Sequence, residues 1–71
     1  MTEYHKQVNK EVDDLLRIGL EASEIAKKAG KKDLAIEILR TTSVVAHNYM
    51  IASGLQEALT EFWKDKKGLN A

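Results

Sequence analysis

Ala26-Lys27-Lys28-Ala29-Gly30-Lys31-Lys32-Asp33-Leu34 closes one helical pattern and opens another. A glycine just beyond a helical run adopts the left-handed backbone of a C-terminal cap at little cost, so Gly30 ends a first helix at Ala29. Lys31 and Lys32 bridge the turn, and Asp33 reads as the N-cap of a second helix. Working backward, Thr2 caps the first helix and Glu3 sits in its first turn, giving a helix over about 3–29. Working forward from a turn at 30–33, the second helix spans about 34–67 and stops at Gly68. Leu69 then folds back on Trp63 or Lys64. The chain contains no proline, so neither helix has a hard stop. The soft point is Ser53-Gly54-Leu55-Gln56, where Ser53 and Gln56 have capping-box spacing and Gly54 costs about 1 kcal/mol relative to alanine. The apolar row Val45, Ala52, Leu59 keeps its phase across Gly54. The second helix is therefore read as continuous or merely bent, with a break near Gly54 as the alternative.

The fold class is all-α, a single helical-hairpin domain over residues 1–71. Seventy-one residues without a cysteine cannot be stapled by disulfides or by a thiolate metal cage. A domain of this size buries only about 60% of the surface its unfolded chain exposes, so its own core is thin. Eleven basic residues balance eleven acidic ones, which leaves no general electrostatic drive toward nucleic acid or an anionic membrane. The polar start Met1-Thr2-Glu3-Tyr4-His5 is unlike a signal peptide, and no long apolar run is present. We therefore expect a soluble, cytoplasmic chain without membrane contact.

On a helical wheel, Tyr4, Val8, Val12, Leu15, Gly19, Ala22, Ala26 and Ala29 form one seam with steps of three and four. Ile18 and Ile25 lie on one flank of it, Leu16 and Leu20 on the other. Together they widen the apolar arc to roughly 220°, where an ordinary surface helix needs about 100°. The second helix repeats the excess. Leu34, Ile38, Val45, Tyr49, Ala52, Leu59 and Trp63 make one stripe, and Val44, Ile51, Leu55, Ala58 and Phe62 make another. One partner helix covers only one of the two. The expected oligomer interface is accordingly Leu16, Ile18, Leu20, Ile25, Val44, Ile51, Leu55, Ala58 and Phe62, buried in a homo-oligomeric four-helix bundle of paired hairpins.

Residues 41–54 gather hydroxyl, amide and β-branched side chains that helices do not favour. In a hairpin closing near residue 31, this zone lies level with Gly19, Ala22 and Ser23. The helices then either approach closely there, or leave a polar pocket for a small ligand, such as a nucleotide signal, around Arg40, Thr41, Thr42, His47, Asn48 and Tyr49. Asn48 also suits a register-setting role between packed helices. The lysines Lys27, Lys28, Lys31 and Lys32, and Lys64, Lys66 and Lys67, fall at helix ends, where cations complement the dipole. Without arginines or interleaved aromatics they do not make a nucleic-acid surface.

No phosphate loop, His-x-x-x-His pair or nucleophile elbow occurs, and His5 and His47 lie several turns apart in a hairpin. We expect no enzymatic activity, no metal and no cofactor. Arg40 and His47 share a helix face, and over those two positions alone the spacing resembles that of the HEPN ribonucleases, helical dimers with such a pair at their interface. The resemblance would imply RNA cleavage. An exposed pair on a polar face is the reading the residues themselves favour. The bundle shape is similar, at that level only, to small plasmid regulators that bind RNA hairpins, and no motif carries that function over. Three readings follow: a protein-interaction or regulatory module that binds itself and a protein partner, a small-ligand binder, and an engineered bundle without natural function.

Overall fold

A computed structural model describes residues 2–67, with side chains to Lys64. The described residues form three helices: α1 (Glu3–Lys28), α2 (Lys32–Ala52) and α3 (Leu55–Lys67). The expected fold-back of Leu69 lies outside them.

The ends of α1 follow from local chemistry. The Thr2 hydroxyl accepts a hydrogen bond from the His5 amide at 3.1 Å, as an N-cap does. At the other end Gly30 has φ +77°, its amide donates to the Lys27 carbonyl at 3.0 Å, and the Lys31 amide reaches the Ala26 carbonyl at 2.9 Å. This is a Schellman ending with Gly30 at C′.

The start of α2 departs from expectation. Its N-cap is Lys31, which makes no side-chain cap bond, and Asp33 lies inside the first turn. Because the Schellman turn consumes only Ala29–Lys31, α2 begins at Lys32 and Asp33 falls two positions past the cap. It still places a negative charge at the positive end of the helix dipole.

The second helix is also not continuous. Gly54 takes φ +77°, a left-handed conformation that α-helical backbone excludes, and Ser53 closes α2. The Ser53 amide donates to the Tyr49 carbonyl at 3.0 Å, and the Gly54 amide to that of Ile51 at 3.1 Å. The new helix axis turns Leu55 into the chain's own core, where it is fully buried. Leu55 is therefore no part of an outer stripe, contrary to the sequence expectation.

The core is small: Val8, Val12, Ala46 and Leu55, with Leu15, Met50 and Leu59 packed against it. The Cα atoms extend 49 × 26 × 16 Å with a radius of gyration of 15.4 Å, against about 11 Å for a compact domain of this length. The molecule is a slab about one helix pair wide.

Candidate interaction surface

The α1–α2 contact is built from small residues. Gly19, Ser23 and Ala26 of α1 are buried, as are Ala35 and Ala46 of α2. A methyl group at Gly19 would lie 2.8 Å from Thr42 Cβ, so the backbones meet more closely there than any side chain on α1 would permit. The Ser23 hydroxyl donates to the Ala35 carbonyl at 3.2 Å in the same seam. Of the two outcomes open for this zone, close approach is the one observed at Gly19 and Thr42.

This seam differs from the one expected for α2. The large stripe beginning at Leu34 does not turn inward: Leu34 is 49% exposed and Val45 47%, while Ala35, Thr42 and Ala46 take the inner positions. Since α1 offers glycine, serine and alanine, small residues from α2 allow the shortest approach and the larger ones are displaced to the sides. Among the described residues, Leu16, Ile18, Leu20, Ile25, Val44, Ile51 and Phe62 are all exposed, Ile25 most of them at 70%. Ala58 is half-buried. Both apolar flanks of the α1–α2 pair thus face outward.

The Tyr49 hydroxyl donates to Glu11 Oε1 at 2.6 Å and ties one edge of α2 to one edge of α1. That bond, together with burial and the Glu11 charge, pushes the phenol above its ordinary value. Glu11, Ile18 and Ile25 are seven apart and run along one line of α1, so Tyr49 fixes which side of α2 lies beside the two isoleucines. On the outer side of α1, Asp14 accepts from Arg17 Nη2 at 2.7 Å and lies 3.6 Å from Lys10 Nζ. The Arg17 hydrogen bond and the Lys10 charge hold its carboxyl below the usual range.

The residues proposed for a ligand pocket are not gathered within one chain. Thr42 points into the helix seam and Tyr49 toward Glu11, while Arg40 pairs with Glu37 Oε1 at 3.1 Å on the exposed side. Thr41, His47 and Asn48 are exposed. Thr41 and Thr42 border only a shallow depression with Leu34, Glu37 and Ile38. His5 lies with its Nδ1 3.0 Å from the Thr2 hydroxyl and its ring beside Gly54, well along the hairpin from His47. Among the described residues, no group of three or more histidine and carboxylate side chains could hold a metal ion. No described helix is long and apolar enough to cross a membrane.

The inward role of Ala35 and Ala46 does not follow from ranking residues on size, whereas Thr42 lies in the zone expected level with Gly19. The signal for the two alanines was present in the Gly19–Ser23–Ala26 spacing, which demands small partners. Compared with known proteins, the chain matches no family model, no curated protein and no solved structure.

Proposed function

We propose that the protein is a non-enzymatic, homo-oligomeric helical module that works by presenting helix faces to copies of itself and to a protein partner. The observation that carries this reading is the imbalance of apolar surface. Among the described residues, Val8, Val12 and Leu55 are the large apolar side chains removed from water, whereas Ile18, Leu20, Ile25, Leu34, Ile36, Val44 and Ile51 are each about half exposed or more. Covering such flanks removes apolar surface from water, which favours an assembly over the single chain. Two hairpins stacked through these flanks make a four-helix bundle.

The test is solution mass. Sedimentation or light scattering should give a multiple of the 8.0 kDa chain mass. Ile25→Glu or Ile51→Glu should shift that mass toward the monomer, because each would bury a carboxylate without a partner. A chain that sediments as a monomer at every concentration overturns the reading.

A further inference from the structure

Within the homo-oligomer reading, on which this inference rests, we propose that the assembly is centred on the outer face of α2, packed antiparallel against α2 of a second copy about a two-fold axis. From Thr41 to Gln56 the sequence carries no aspartate, glutamate, lysine or arginine on any side of the helix. This stretch has no charge to hold it in water, yet Thr41, Val44, Val45, Asn48, Ile51 and Ala52 are all exposed in the single chain.

Thr41, Val45, Asn48 and Ala52 advance by four, three and four residues and form one stripe, turned roughly 110° from the inward-facing Ala35 and Ala46. The Tyr49–Glu11 bond places this stripe on the same side of the hairpin as Ile18 and Ile25. The surface is thus continuous over both helices.

Three observations select a second copy as the occupant. The chain exposes 5521 Å², whereas a compact monomer of 8.0 kDa exposes about 4,500 Å². The excess, about 1,000 Å², is close to the roughly 800 Å² that each partner buries in a standard stable interface. Formal net charge is zero, so copies do not repel. The stripe from Thr41 to Ala52 itself carries no ionised group that a self-contact would strip of water, and Glu11 at its border already accepts the Tyr49 hydroxyl.

Register follows from Thr41 and Asn48. They stand symmetrically about the Val44–Val45 pair, so a perpendicular two-fold passing there brings Thr41 opposite the partner subunit's Asn48, and does so twice. The hydroxyl and the amide satisfy one another, and antiparallel helices also align their dipoles favourably. A mismatched register would bury both polar groups unpaired.

The chain has no native cysteine, so engineered thiols report this geometry directly. Helix axes 8–10 Å apart bring facing Cα atoms to about 5–6 Å, within disulfide reach. Thr41→Cys and Asn48→Cys chains of different tagged mass are purified separately, checked for native helicity and sedimentation mass, mixed and oxidised. The expected product is the mixed 41–48 disulfide, with little self-linked product from either variant and none from Ile36→Cys on the opposite side. Dominant 41–41 and 48–48 products would overturn the antiparallel register. Absence of product from chains that sediment as oligomers would overturn this face while leaving the homo-oligomer reading intact. Monomeric wild-type chains would overturn both.

Discussion

Gly19 shows how one missing methyl can set how closely two helices approach. Alanine is the better helix former by about 1 kcal/mol, so on an exposed surface Gly19→Ala would stabilise. Here the new Cβ would overlap the Thr42 side chain down to its Cβ, and rotamer change alone cannot relieve that. We expect Gly19→Ala to destabilise by about 1–3 kcal/mol in urea unfolding. Adding Thr42→Ala should recover part of the loss. Gly30→Ala is the contrasting case, since nothing lies within 4 Å of its would-be Cβ and only the φ of +77° is penalised. Its cost should be about 1 kcal/mol, insensitive to changes at neighbouring positions.

Tyr49 gives a residue-scale dependence on pH. The folded chain holds the phenolic proton more tightly than the unfolded chain, because the hydroxyl donates to Glu11. The stabilisation is therefore fully present below the ordinary tyrosine value of about 10 and disappears as pH rises through the raised folded-state value. Wild type should lose more stability than Tyr49→Phe between neutral and strongly alkaline buffer, measured by urea midpoints at the two pH values. Equal losses would show that the bond does not contribute.

At the scale of elements, what the sequence made legible was whatever depends on a few adjacent residues. Thr2 caps α1 and Gly30 ends it because each acts through its own backbone and nearest amides. The rest depended on fit between distant segments. A wheel ranks Leu34 and Val45 above Ala35 and Ala46 by size, but the inward face of α2 is chosen by the small residues opposite it on α1. Gly54 illustrates a second limit. The apolar rows keep helical phase across it, and the left-handed φ that breaks the helix and swings Leu55 inward is one that a glycine permits without dictating. Two substitutions separate these effects. Leu55→Ala should cost about 2–5 kcal/mol through the cavity it leaves. Gly54→Ala should cost about 1 kcal/mol through backbone strain, with His5 Nε2 at an ordinary 3.6 Å from the added carbon. Near-equal losses in thermal or urea unfolding would mean that Leu55 owes its burial mainly to the turn. As for the candidate surface, the flanking leucines and isoleucines could be read from periodicity, whereas the pairing of Thr41 with Asn48 requires knowing which face α2 leaves outward.

For the whole molecule, folding and association are expected to be one process. A slab of 49 × 26 × 16 Å with so small a core has little stability to offer alone, and covering its flanks adds to whatever the hairpin contributes. Linkage then requires the melting temperature to rise with protein concentration, since a partner that binds only the folded chain shifts the equilibrium by mass action. The character of the surface makes a second demand. Charged interfaces weaken as salt screens them, with a Debye length of about 10 Å at 0.1 M. An association centred on residues 41–56, which carry no formal charge, has nothing of that kind to screen. The concentration-dependent melting temperature should accordingly change little between low and physiological ionic strength. The exposed Asp14–Arg17 and Arg40–Glu37 pairs, being screened already, should add little salt dependence of their own. Melting curves recorded across protein concentration at two salt levels separate the cases: a concentration dependence that collapses on adding salt would assign the contact to the charged edges of α1 instead of the neutral face of α2.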